Sequence, residues 1–286
     1  MKQGVGTNTQ FSFSRFRQLV ALHWAGNKRL YLLALPAIAG LLAAWFSFML
    51  VMDRYSPLDD GIQALTYYWG LTLIGCLYSS TIFAEFGSKA QGIAWLGLPA
   101  SALEKQLCGT LFSAILCFVG YTLVFYVVDI PMVKIGNELI VAQHRIWPGG
   151  YPVLPNPVWN LTTGLPGDNP DHSFHIVFIW YVMLQAVFAL GSVYFNRYAF
   201  VKTVIAVVLF LLGFLVFEKL CMTTIVVHGW YRYNFANDWI IDANTLHVRS
   251  VRLPPWIIAP LAILLVIGIP TVFWVATYLR IKEKQV

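Results

Sequence analysis

The chain has 286 residues, of which 58% are hydrophobic, 16% are aromatic and only 11% are charged. A soluble domain carries roughly 25% charged residues, so this composition excludes an ordinary soluble protein and predicts an integral membrane protein. The net charge of +6 does not indicate nucleic-acid binding, because the basic residues flank apolar stretches instead of forming one patch.

The first 29 residues are predicted to form a cytoplasmic segment with an amphipathic helix. Phe13, Phe16, Val20 and Trp24 recur at helical spacing, with basic residues on either side. This pattern is typical of a helix that lies in the membrane interface. The alternative is an ordinary basic segment that leads into the first span.

An all-helical transmembrane domain is predicted over residues 30–286, with six spans. Each is long enough, or nearly so, to cross a hydrocarbon core of roughly 30 Å. The spans cover about 30–52, 64–83, 104–128, 173–195, 201–217 and 256–278. The larger share of the 19 Lys and Arg residues falls on the segments that are inside if the N-terminus is inside. The positive-inside rule therefore predicts that both termini are cytoplasmic.

Two long segments, 129–172 and 218–255, are then expected outside the membrane. The first contains WPGGYPVLPNPVW, in which Pro and Gly disfavour a long helix and the aromatic residues favour the headgroup level. At the start of the second, Glu218 and Lys219 interrupt an apolar run. That run could be a half-helix returning to the membrane or a helix emerging into solvent. The charged pair is a candidate intramembrane site, or a pair whose side chains reach the interface.

The stretch between spans two and three, residues 79–107, is the best-patterned polar connection in the chain. Its first half has the spacing of a short amphipathic helix. Pro99 then ends what precedes it, and Ser101 followed three residues later by Glu104 forms a capping-box signature. A new helix is therefore expected to begin at about Ala102 and to continue into the third span.

Sequence signatures of catalysis are missing. The chain has no G-x-x-x-x-G-K-[ST] loop, no H-E-x-x-H and no G-x-S-x-G, and its four cysteines lack metal-ligand spacing. We therefore expect no enzymatic activity and no catalytic, cofactor or metal site on this chain.

The motif F-x-x-F-x-S-K-x-x-G-I-x-W-L-x-L-P-A-S-x-L-E-K at residues 83–105 resembles a permease-like group found in Bacteroidetes. The order of elements resembles that of permease subunits of type-2 ABC exporters. The resemblance implies a permease in the bacterial inner membrane, working as a homodimer or with a paralogue. It also implies a separate ATPase subunit that binds ATP and docks on the connection, which we define as residues 84–98. The residues expected to contact that ATPase are Lys89, Gln91, Ile93, Trp95 and Leu96.

The long segment 129–172 departs from a minimal exporter. The alternative function is a membrane scaffold or signalling subunit that has the same fold but carries no substrate.

Overall fold

The computed structural model describes residues 11–52, 58–83, 98–146, 155–161, 170–195, 197–225, 229–232, 237–242, 248–252, 256–257, 260 and 263–285. Its helices are α1 Phe13–Met52, α2 Asp60–Thr81, α3 Ala102–Thr110, α4 Cys117–Ile146, α5 Pro170–Tyr194, α6 Ala199–Ile225 and α7 Ile269–Gln285. A π-helical turn, Leu111–Leu116, joins α3 to α4, and a second, Leu264–Gly268, precedes α7.

Five helical segments of the described chain are long and apolar enough to cross a membrane. They are Phe13–Met52, Ala102–Ala142, Val177–Tyr194, Ala199–Phe217 and Leu264–Glu283. This finding supports the predicted membrane-protein class. α2 occupies the second predicted span, but it mixes polar residues such as Gln63 and Ser79 into its apolar sequence and is not one of the five.

Several helices are longer than predicted. α1 is one helix of 40 residues that passes through Pro36, so no break separates the predicted interfacial helix from the first span. The helix containing the third span does not end near residue 128 but continues to Ile146. Of the two arrangements considered after residue 217, the structure has an unbroken helix that continues through Glu218 and Lys219 to Ile225.

The segment 218–255 also contains β-structure, which the all-helical prediction did not include. Three short strands, β1 Gly229–Arg232, β2 Asn237–Asp242 and β3 Val248–Arg252, form an antiparallel sheet in the order β1-β2-β3. In its register Gly229 pairs with Asp242, and Asn237 pairs with Arg252. The described residues of the predicted spans are mainly helical, whereas this segment is in part a β-meander.

One end of the helical bundle, called here the junction end, is closed by a buried apolar cluster. The cluster brings together residues from the beginning of α1, the end of α2, the start of α3, the end of α5 and the end of α7. Its buried members include Leu19, Phe83, Ala102, Val193 and Ile281. The segments that the sequence assigns to the inner side of the membrane therefore meet at the same end of the molecule.

The opposite end of the bundle is filled by a second, mainly aromatic cluster. Tyr67 of α2 lies against Tyr121 and Phe125 of α4, with ring centroids 5.6 and 5.0 Å apart. Phe46 of α1 packs edge-to-face on Phe125 at 6.0 Å. Large aromatic rings supply much of the buried area that holds α1, α2 and α4 together at this end.

Candidate functional site

The predicted ATPase contacts Lys89, Gln91, Ile93, Trp95 and Leu96 lie outside the described residues. The structure describes the residues on either side of the connection that carries them. Just before it, Phe83 is buried, and its ring lies over Gly109 of α3, where an added Cβ would meet the Phe83 Cζ atom at 2.6 Å. Since only a glycine leaves room for this contact, α3 packs closely against the end of α2.

Just after the connection, Ser101 and Glu104 form the predicted capping box. The Glu104 backbone N–H donates to Ser101 Oγ at 3.2 Å, and the Ser101 N–H donates to Glu104 Oε2 at 2.8 Å. Ser101 has extended backbone angles, and the helix starts at the next residue, as expected. The two bonds satisfy donors that the first turn of α3 would otherwise leave unpaired.

The second carboxylate oxygen of Glu104 binds a different helix. Oε1 accepts a hydrogen bond of 2.7 Å from the backbone N–H of Ser12, immediately before α1, and lies 3.3 Å from an Arg15 guanidinium nitrogen. The Glu104 side chain is fully buried. One carboxylate therefore caps the N-termini of both α1 and α3, where the helix dipoles favour negative charge. The sequence predicted the cap on α3 but gave no signal for a bond that spans 92 residues.

Next to this junction is a cavity of about 230 Å³ between α1, the end of α2 and α3. Lys105 is fully buried and lines it, together with His23 and Cys108. A chain of hydrogen bonds leads from His23 to the Tyr31 hydroxyl at 3.0 Å and on to the Tyr78 hydroxyl at 2.6 Å. These hydrogen bonds join the first half of α1 to α2. The junction end is therefore held by polar bonds as well as by apolar packing.

The π-helical turn Leu111–Leu116 is bound by a side chain from α5. The Tyr181 hydroxyl donates to the carbonyl oxygens of Ser113 and Ala114, at 3.1 and 3.2 Å. A wider turn leaves backbone carbonyls available, and π-turns within helices often occur at functional sites. One helical turn along α5, the buried Gln185 amide has no hydrogen-bond partner among the residues that the structure describes. Tyr181 and Gln185 therefore place two buried polar side chains on neighbouring turns of α5.

Residues 155–161, called here the strap, cross the end of the bundle opposite the junction. The Gln63 side-chain amide donates to the Pro157 carbonyl oxygen at 3.0 Å, and its oxygen accepts from the Trp159 backbone N–H at 2.7 Å. The Trp159 ring is 2% exposed and lies 5.2 Å from Tyr67. The sequence placed this tryptophan region at the headgroup level, whereas Trp159 itself is inserted into the bundle. Gln63 was not identified as its partner.

Two further sets of contacts fasten the strap to α4. Asn137 and Asn156 exchange hydrogen bonds of 2.9 Å in both directions. The Leu161 N–H donates to the Tyr126 hydroxyl at 3.0 Å. Side chains of α2 and α4 thus satisfy the strap's backbone groups, and the strap closes this end of the bundle.

Glu218 and Lys219 lie within α6, seven and six residues before its end. The Lys219 side chain is exposed, and the apolar residues before it, such as Phe214 and Phe217, are also exposed within the chain.

Among the residues that the structure describes, no group of three or more His, Cys, Asp or Glu side chains could hold a metal ion. Comparison with protein-family models, with curated proteins and with solved structures gives no match. Fold and composition define the chain as a helical, multi-pass membrane protein.

Proposed function

We propose that this chain is the permease subunit of an ABC transporter, working as an exporter in a bacterial inner membrane and driven by a separate ATPase. The observation that carries the proposal is the buried Glu104 carboxylate, which joins the start of α3, just after the connection, to the N-terminus of α1. The resemblance of residues 83–105 to permease-like proteins adds to it.

We infer that α2 is the sixth crossing of the membrane. Its 22 residues extend about 33 Å, enough to cross a core of roughly 30 Å. One end contributes Phe83 to the junction cluster and the other holds the strap through Gln63. A helix that is surrounded by other spans can carry more polar residues than one that faces lipid. Six crossings put both termini on the same side of the membrane. The positive-inside rule assigns that side, and the junction end with it, to the cytoplasm.

The bonds at the junction end provide a way for a movement of the connection to reach the spans. A movement of residues 84–98 is passed to α3 through Pro99 and the Ser101 cap, and to α1 through Glu104. Because Glu104 is bonded to both helix starts, α1 and α3 move together. ATP-driven closure of the partner would then rearrange the bundle as connected rigid helices.

In this proposal ATP hydrolysis takes place on the partner ATPase, and this chain forms the route by which the substrate crosses the membrane. We infer that it binds no cofactor and catalyses no reaction itself, that ATP is held by the partner, and that a second permease copy or paralogue completes the complex. The rival function, a membrane scaffold or signalling subunit without cargo, would use the junction without ATP-driven movement.

The experiment compares Trp95→Ala with a control, Trp69→Ala, in tagged chains purified from native membranes. Trp69 of α2 is 72% exposed and lies away from the connection, so both variants remove one large ring. A partner pocket that holds Trp95 as an anchor would lose most of its affinity without it. We expect Trp95→Ala to lose the ATPase at normal membrane yield, and Trp69→Ala to retain it.

Two results would contradict the proposal. Retention of the ATPase by Trp95→Ala, with unchanged stimulation of ATP hydrolysis, would remove the docking role of the connection. A reduced membrane yield of Trp95→Ala with full ATPase recovery per molecule would assign Trp95 to the lipid interface instead.

A further inference from the structure

Asp129 is a buried acid near the strap that the proposed function does not use. It lies in α4, two turns beyond Thr122, whose hydroxyl is 2.8 Å from that of Tyr67. Its side chain is fully buried. The sequence placed residue 129 at the start of an outer loop, whereas the structure has it inside a helix that packs on α1 and α2.

Neither carboxylate oxygen of Asp129 has a hydrogen-bond partner in the described part of the chain. No described salt bridge includes it. The outer half of α1 and the strap carry no charged group. Among the described residues, the titratable and charged groups at this end of the neighbouring helices are Tyr126 and Lys134 on α4, and Asp59, Asp60, Tyr67 and Tyr68 at the start of α2.

A carboxylate without a partner cannot remain ionised in such a place at low cost. Removing an isolated charge from water is far more expensive than removing a neutral polar group, so a buried acid without a counter-ion takes up a proton. With no cation paired to it among the residues that the structure describes, the small ligand that fits this buried carboxyl group is H⁺. An acid buried among transmembrane helices is also the kind of residue that marks a functional site.

We propose that Asp129 is a proton-binding site that controls the strap: it holds a proton while residues 155–161 are seated, and loss of the proton releases them. Tyr126 provides the link. It lies one turn before Asp129 on α4, and its hydroxyl accepts the strap's Leu161 N–H. A negative charge at Asp129 must be solvated, and water reaches it when the strap lifts.

The direction of the effect follows from this arrangement. The seated state prefers neutral Asp129, whereas a solvated Asp129 ionises readily. The seated state therefore binds the proton more tightly, so rising pH shifts the equilibrium towards the released strap, by at most about tenfold per pH unit for one proton. The proposal requires only that the strap moves, and it can hold even if the proposed transport function fails.

The test is amide hydrogen exchange of the strap, measured by mass spectrometry on the purified full chain across a range of pH. The wild type is compared at each pH with Asp129→Asn, which is nearly isosteric and cannot ionise. The exchange rate of the wild type is divided by that of Asp129→Asn, which removes the intrinsic pH dependence of exchange. We expect this ratio to be close to one at acidic pH and to rise by up to about tenfold per pH unit once Asp129 ionises.

Glu138→Gln is the matched control, since Glu138 lies on the same helix and is exposed. The exchange rate of Glu138→Gln, divided by that of Asp129→Asn, should change with pH as the wild-type ratio does. A ratio that does not change with pH would overturn the proposal, as would failure of Asp129→Asn to fold, because a neutral isostere should replace a neutral acid. Exchange that depends on added Na⁺ or Ca²⁺ at fixed pH would assign the carboxyl to a metal cation and would also overturn it.

Discussion

At the scale of single residues, the structure is held by polar side chains that each satisfy backbone groups of distant segments. Glu104 accepts from Ser12, Ser101 and Arg15. Gln63 does the same for the strap at the other end. Such residues are costly to replace, because each loss leaves several buried donors or acceptors without a partner.

Replacing Glu104 by Ala should destabilise the protein by about 3–5 kcal/mol, the usual cost of breaking a buried charged pair by removing one member. Glu104→Gln should cost less, because an amide oxygen can still accept a hydrogen bond from one helix start. Thermal and denaturant unfolding of the purified protein measures both. Equal, small losses for the two variants would show that the junction bonds contribute little.

At the scale of helices, close packing depends on glycines whose missing Cβ admits a side chain from a neighbour. At Gly191 of α5 an added Cβ would collide with Thr203 Oγ1 of α6. Thr203 is itself buried and donates to the Ala199 carbonyl oxygen at 2.7 Å. The side chain therefore has little freedom to move away, and this contact sets the distance between the two helices.

Gly191→Ala should lower stability by about 1–3 kcal/mol through overpacking. The control is Gly213→Ala on α6, where an added Cβ meets nothing within 4 Å. There alanine should be neutral or stabilising by up to about 1 kcal/mol, because it favours a helix over glycine. Unfolding midpoints of the two variants test this, and a Gly191→Ala protein as stable as the wild type would contradict the packing.

The positions of the helices could be predicted from sequence because apolar length and caps are local signals. The Ser101 cap gave the start of α3 correctly, and the span predicted at 173–195 matches α5, Pro170–Tyr194. Helix ends were predicted less well: the third span was expected to stop near residue 128, yet the helix that contains it continues to Ile146.

The contacts that build the candidate sites could not be predicted in the same way. The bond from Ser12 to Glu104 and the bonds from Gln63 to the strap join residues more than 90 positions apart. Such pairings depend on which helices become neighbours, and no periodicity within one segment contains that information. Likewise, polar residues in α2 lowered its apolar character without showing that they face partners inside the bundle.

At the scale of the whole molecule, the beginning of α1, the end of α2, the start of α3 and the ends of α5 and α7 share one end, and the strap closes the other. Single cysteines in a background without the four native ones should distinguish the two sides of the membrane. Val158→Cys on the strap, 38% exposed, should react with an impermeant thiol reagent applied from outside. Lys282→Cys, on the exposed end of α7, should react only after the membrane is opened. The reverse pattern would invert the topology.

If this chain transmits the work of a partner ATPase, as we propose, ATP hydrolysis should copurify with it. Hydrolysis is measured in material copurified with the tagged chain from native membranes, for the wild type and for Trp95→Ala. We expect hydrolysis that copurifies with the wild-type chain and is lost with the variant at equal chain recovery. Absence of hydrolysis with the wild type, or equal hydrolysis with both, would contradict the proposed function.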